Sequence, residues 1–181
     1  TLARIAGENT TSSDPWWLAG QQWAMKTNVS DGTMATDNIT REQLVTMLYR
    51  YAGSPEMTGE TSFSDVREGR YFYQAVVWAE ENQIANGYPD GTFQPNQNIT
   101  REQMVTMLFR YVQSQDGDNG LRDDLAAFED RDKVSNFAKA PMEWAVANRV
   151  VNGMTATTLA PKGQATRAQT ATVLYRTLAN L

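Results

Sequence analysis

Apolar residues recur along this chain with a helical period. Leu44, Met47, Leu48 and Tyr51 fall at i, i+3, i+4 and i+7, and Met104, Met107, Leu108 and Tyr111 repeat that spacing. Both sets belong to a longer identity. Ile39-Thr-Arg-Glu-Gln-Leu-Val-Thr-Met-Leu-Tyr-Arg-Tyr51 returns as Ile99-Thr-Arg-Glu-Gln-Met-Val-Thr-Met-Leu-Phe-Arg-Tyr111, with only Leu44/Met104 and Tyr49/Phe109 changed. A weaker third copy is Ala165-Thr-Arg-Ala-Gln-Thr-Ala-Thr-Val-Leu-Tyr-Arg-Thr177. The pattern predicts one amphipathic helix repeated three times.

A second block repeats ahead of each copy. Trp23-Ala24, Trp78-Ala79 and Trp144-Ala145 each precede a short apolar segment ending in Gly32, Gly87 or Gly153. Seven residues before each Trp stands another aromatic: Trp16, Tyr71 and Phe137. That spacing predicts a first helix carrying both rings on one face. Further upstream, Phe63-Ser-Asp65-Val66 is echoed by Phe128-Glu-Asp130, and the first copy lacks this leading loop. Polar stretches rich in turn formers, Gly53 to Ser62 and Ser114 to about Asp124, separate the copies. The expected units are therefore residues 1–55, 56–115 and 116–181. A two-helix unit cannot bury its apolar stripe alone. The expected fold is mostly α: three two-helix repeats in a pseudo-threefold bundle, Thr-Arg helices at the centre and aromatic helices outside, with short strand pairing near Phe63 and Phe93.

Composition narrows the chemistry. Of 181 residues, 41% are hydrophobic and 20% charged, a globular balance. No run approaches the ~20 apolar residues of a membrane span. The opening Thr1-Leu2-Ala3-Arg4-Ile5 has no apolar segment behind it, and a start on Thr reads as a piece of a longer chain. Cysteine and histidine are both absent, which removes disulfides, thiolate ligands, cysteine nucleophiles and the commonest general base. A net charge of −5 argues against nucleic acid as a partner. Asp116-Gly-Asp118-Asn-Gly120 hints at a calcium loop, but Ala127 stands where the bidentate Glu belongs, so no metal or cofactor is expected. Asn38-Ile-Thr and Asn98-Ile-Thr fit glycosylation sequons whose Thr already has a capping task.

The recurring Thr-Arg-x-Gln carries the candidate chemistry. Thr40 with Gln43, Thr100 with Gln103 and Thr166 with Gln169 have the spacing of a capping box. Arg41, Arg101 and Arg167 then occupy the first helical position, where a cation is mildly unfavourable against the helix dipole. Two explanations fit equally: an anion site combining guanidinium with free helix-start N–H groups, or a bridge to an acid in a neighbouring repeat. Pro89-Asp90-Gly91 is a turn. Phe93 is expected to close that loop on the core, while Tyr88 either anchors it or offers a ring to a sugar.

Taken together, Phe63-Ser-Asp-Val66, Trp78-Ala, Gly87-Tyr-Pro-Asp-Gly-Thr-Phe93 and Ile99-Thr-Arg-Glu-Gln103 resemble the S-layer homology repeat, with Gln where that family's Thr-Arg-Ala-Glu signature has Glu. The resemblance runs from about Trp16 to Leu178. It implies a non-catalytic module, monomeric in isolation, that anchors bacterial surface proteins to a secondary cell wall polysaccharide carrying pyruvylated N-acetylmannosamine. Sugars would bind in grooves between repeats. Arg41, Arg101 and Arg167 would meet the acidic ketal, with Asp65 and Asp130 as leading-loop acids (Asp14 is a weaker match). Trp16 and Tyr71 would be groove aromatics, Phe137 lacking a polar tip, and Asp90 and Gly91 turn residues without counterparts in copies one and three. On this reading Arg101→Ala weakens wall binding and leaves melting almost unchanged. A cell-surface protein-interaction scaffold is the alternative. A carboxylate-pair glycosidase is a third reading, although no two acids pair in the repeat core.

Overall fold

The computed structural model of the chain describes residues 15–179; Asp14 lies outside them. Six α-helices occur among these residues: α1 (Leu18–Lys26), α2 (Arg41–Tyr51), α3 (Tyr73–Glu81), α4 (Arg101–Ser114), α5 (Lys139–Ala147) and α6 (Arg167–Leu178). Short 3-10 turns at Arg131–Lys133 and Asn136–Ala138 lead into α5. None of the described helices is long and apolar enough to cross a membrane.

The helices α2, α4 and α6 start for one local reason. The hydroxyls of Thr40, Thr100 and Thr166 accept from the backbone N–H of Gln43, Gln103 and Gln169 at 3.4, 3.3 and 3.2 Å. Each Gln side-chain oxygen accepts in return from the Thr N–H, at 3.1, 3.1 and 3.2 Å. Two otherwise orphaned amides per helix are satisfied this way. The outer helices α1, α3 and α5 carry no side-chain cap.

The strongest helix contacts join different copies rather than the two helices of one copy. Helix α3 lies on α2, α5 on α4, and α1 on α6, so each outer helix rests on the Thr-Arg helix before it and the first closes onto the last. The core follows this order. Trp23 meets Tyr175 and Tyr51 at ring-centroid distances of 6.1 and 5.7 Å. Trp78 meets Tyr49 and Tyr111 at 5.8 and 6.0 Å, and Trp144 meets Phe109 at 5.3 Å. In the third copy Thr177 stands where Tyr51 and Tyr111 do. Closure of α1 on α6 needs Gly20: a Cβ there would sit 2.6 Å from the Cα of Thr172.

Just before the three capped helices the backbones meet in a closed ring. The N–H of Ile39 donates to Ala165 O at 2.9 Å, that of Ala165 to Ile99 O at 3.0 Å, and that of Ile99 to Ile39 O at 3.0 Å. Isolated antiparallel bridges flank these bonds. Strand pairing therefore sits at the helix starts and not near Phe63 and Phe93, which stack on each other at 5.5 Å. Phe93 is fully buried, as expected of a residue closing its loop on the core. A second expectation also fails. Trp16, Tyr71 and Phe137 precede α1, α3 and α5 and do not lie on them. Their rings are 61, 63 and 52% exposed, whereas Trp23, Trp78 and Trp144 are buried. Because the chain turns into each helix only after the ring, that ring is free to reach a neighbouring copy.

Candidate functional site

Three grooves are built from one recipe. Each takes the initial Arg of one capped helix, the apolar-Gly turn and face of the next, and an exposed aromatic from beyond. The first, of about 330 Å³, has Arg41, Tyr88 and the α4 face, with Phe137 at its rim. The second, of about 340 Å³, has Arg101, Asn152 to Met154 and the α6 face, with Trp16. The third, of about 170 Å³, has Arg167, Ser30, Asp31 and the α2 face, with Tyr71. Gln103, Gln169 and Gln43 line the three grooves in turn, and so do Thr106, Thr172 and Thr46. The cap residue Gln is thus two-sided: Oε1 starts the helix, while the Nε2 of Gln103 reaches Tyr88 Oη at 3.2 Å within the groove.

Each groove also holds a second arginine that sequence reasoning passed over: Arg110, Arg176 and Arg50. The signal was present in the repeat, since each follows its helix-start Arg by nine residues. Nine residues are about half a turn out of phase on an α-helix. Two arginines of one helix therefore face different grooves. Arg41 and Arg50 do so on α2, Arg101 and Arg110 on α4, and Arg167 and Arg176 on α6.

The helix-start arginines reach into the neighbouring copy. Arg41 Nε donates to Phe93 O at 2.7 Å and Nη2 to Asn86 O at 3.4 Å. Its guanidinium lies 4.9 and 4.8 Å from the ring centroids of Tyr88 and Phe93. Arg101 Nε donates to Leu159 O at 2.9 Å. Arg167 donates to Thr33 O at 3.0 Å and alone of the three pairs with an acid, Asp31, at 2.8 Å. The amides beside them are not free. Arg41 N–H donates to Gln97 O and Glu42 N–H to Pro95 O, and the pairs Arg101/Glu102 and Arg167/Ala168 do the same with Gly163/Pro161 and Asp37/Ala35. An anion in these grooves can meet guanidinium but not the helix-start N–H groups, which corrects that part of the expectation. Arg41 and Arg101 are only 3 and 6% exposed, so truncating either removes a structural tie as well, and melting will not stay unchanged.

Asp65 and Asp130 line none of the three grooves. Asp65 accepts from the N–H of Phe93 and Gln94, both at 2.8 Å. Asp130 does so from Leu159 and Ala160, also at 2.8 Å. They fix the very loops whose carbonyls hold Arg41 and Arg101. Burial works to raise the Asp130 carboxyl, but the two N–H groups outweigh it and its pKa lies below the ordinary value. Asp90 and Gly91 form the turn tip outside the groove, with Thr92 N–H donating to Asp90 Oδ1 at 3.0 Å and Gly91 at φ +77°. Tyr71 donates to Glu42 at 2.9 Å. Burial first, and then this bond, pushes its hydroxyl up to about 12. The second oxygen of Glu42 is buried without a hydrogen-bond partner. Glu102, its counterpart, is held by Ser135 and by Lys162 at 2.6 Å. In the calcium-like loop, Asp118 pairs with Arg122 at 2.7 Å. Among the described residues no cluster of three acids could hold a metal.

The electrostatics favour an anionic occupant. Burial draws the pKa of Arg41, Arg101, Arg110 and Arg176 below the free value. The guanidiniums stay cationic at neutral pH. No described residue accepts a hydrogen bond from Arg110. Partly desolvated cations beside an exposed ring suit a sugar bearing a carboxylate.

The family model described as "S-layer homology domain" matches residues 62–105 and 127–171. An endoglucanase of Bacillus sp. (strain KSM-635) is 32% identical over 139 residues, covering 77% of this chain and 15% of that protein. The surface-layer 125 kDa protein of Lysinibacillus sphaericus is 32% identical over 146 residues, 79% of this chain and 12% of the relative. A cellulosome-anchoring protein of Acetivibrio thermocellus is 25% identical over 146 residues, 78% and 32% respectively. This chain therefore spans a small part of each relative's length.

Proposed function

From these S-layer homology matches and the groove chemistry, we propose that the chain is a non-catalytic module of three S-layer homology repeats that anchors a surface protein to an acidic cell wall polysaccharide. Relatives named for surface layers and for anchoring place such modules at the cell surface. The match to an endoglucanase covers only a small share of that protein, as an appended module would. Three equivalent capping boxes, the cyclic hydrogen bonds of Ile39, Ile99 and Ala165, and the cyclic helix packing support a pseudo-threefold arrangement of units 1–55, 56–115 and 116–181.

The observation that carries the ligand reading is the pair of arginines in each of the first two grooves, Arg41 with Arg110 and Arg101 with Arg176, beside Phe137 or Trp16. The ligand that fits is pyruvylated N-acetylmannosamine. Its ketal carboxylate meets a guanidinium while the sugar face lies on the ring. Tyr88 packs Arg41 from the groove side, and Asp65 and Asp130 act as positioning residues through the loops. A single charged hydrogen bond contributes roughly 1.5–3 kcal/mol, so each groove binds weakly and grooves sharing one polymer gain by effective concentration. Because the chain is net acidic, attraction to an acidic polymer depends on these local cations and is screened by salt.

Co-sedimentation with purified wall polymer tests this. Binding is expected at low ionic strength, to fall about tenfold or more by 0.5 M salt, and to vanish once the pyruvyl ketals are removed by mild acid. Equal binding to intact and depyruvylated wall would sink the acidic-sugar reading.

A further inference from the structure

One difference between the third groove and the other two changes its charge. At the turn before the glycine, Asn86 and Asn152 line the first two grooves, and Asp31 takes the same place in the third. An amide leaves a neighbouring guanidinium charged; a carboxylate neutralises it. Asp31 does so directly, its Oδ1 accepting from Arg167 Nη2 at 2.8 Å, while Ser30 Oγ accepts from the same nitrogen at 3.2 Å. The carboxylate is also locked in place. The N–H and hydroxyl of Thr33 both donate to Oδ1, at 3.0 and 2.9 Å.

We propose that Asp31 is a built-in substitute for the ligand carboxylate, so that this groove rejects acidic sugars and the chain has two anion-reading grooves, not three. The inference rests on the acidic-glycan reading above and adds which grooves perform it. An incoming carboxylate would have to displace Asp31 from Arg167 and then share the groove with it, two like charges facing one guanidinium. The Thr33 contacts hold Asp31 below the usual carboxylate range, so it stays ionised at neutral pH. Space agrees with charge: this groove encloses about 170 Å³, half that of the other two. Its second cation, Arg50, donates to Val29 O at 3.5 Å just as Arg176 donates to Val150 O at 3.4 Å in the second groove, so Asp31 and not Arg50 sets the third groove apart. Tyr71 still presents an exposed ring there, beside an Arg167 whose charge Asp31 already meets.

The test follows the guanidinium Nε–Hε signals of Arg41, Arg101 and Arg167 by NMR during titration with the methyl glycoside of pyruvylated N-acetylmannosamine. In the unmodified chain Arg41 and Arg101 are expected to shift with a stoichiometry of two, and Arg167 to stay still. In Asp31→Asn, which restores the residue found in the other two turns and keeps the Thr33 turn, Arg167 is expected to shift as well. Stoichiometry then rises to three, with at least a tenfold gain in affinity at that groove. A response of Arg167 in the unmodified chain, or its silence in a folded Asp31→Asn variant, overturns the block. Silence of all three arginines in both proteins overturns the acidic-sugar reading along with it.

Discussion

Arg101→Ala is expected to cost the chain about 2–3 kcal/mol and, for a domain of this size, roughly 5–10 °C of melting temperature, together with binding at its groove. The side chain is buried and its Nε holds Leu159 O at 2.9 Å. Truncation leaves that carbonyl without its donor and opens space beside it. It also unpins the loop that Asp130 organises through Leu159 and Ala160. Arg101→Lys keeps charge and reach but loses the planar fork, so it is expected to melt near the parent and still bind more weakly. Thermal unfolding measured beside wall binding separates the two roles. An alanine variant that melts like the parent would mean the Arg101–Leu159 tie contributes little.

Gly20→Val is expected to destabilise by about 3 kcal/mol, because overpacking at a backbone contact leaves few ways to relax. Glycine is a poor helix former, so an isolated α1 would gain from the change. In the folded chain the new Cβ would lie 2.6 Å from the Cα and 2.8 Å from the N of Thr172. Helix α1 must then lift from α6, which opens the contact that joins the first copy to the last. Trp16 and Thr172 sit on opposite sides of that contact and line the same groove. Binding there should fall while the Arg41 groove, built from α4 and Phe137, keeps its ligand. Calorimetric melting checks the stability change; an unchanged melting temperature would show that α1 does not close the ring.

Much of this was readable from residues because it is local. The period of Leu44, Met47, Leu48 and Tyr51 gave α2, and the Thr40–Gln43 spacing gave its start. The position of Arg41 at a dipole-disfavoured site marked it for a task. What lay beyond the sequence was mostly relational. Nothing in Trp23 says that its partner is Tyr175 at the other end of the chain. Arg110 was visible in the repeat, yet its groove depends on Arg41 and Phe137 arriving from other copies. Asp65 and Asp130 entered as site acids through the family resemblance, and their backbone partners at 2.8 Å have them tying loops. Trp16, Tyr71 and Phe137 were assigned to a helix face by a spacing of seven, but each helix begins after them. The difference between Asp31 and Asn86 is a single atom type, and it acquires meaning only once Arg167 is seen against it.

The central claim is that buried helix-start arginines read an acidic sugar in grooves between copies. It is tested most directly by calorimetric titration of the methyl glycoside of pyruvylated N-acetylmannosamine into the parent and into an Arg41→Lys/Arg101→Lys double variant, both shown to be folded by their melting curves. Saturable binding to the parent, at least tenfold weaker in the double variant, is the predicted result; equal binding to a folded double variant would contradict it.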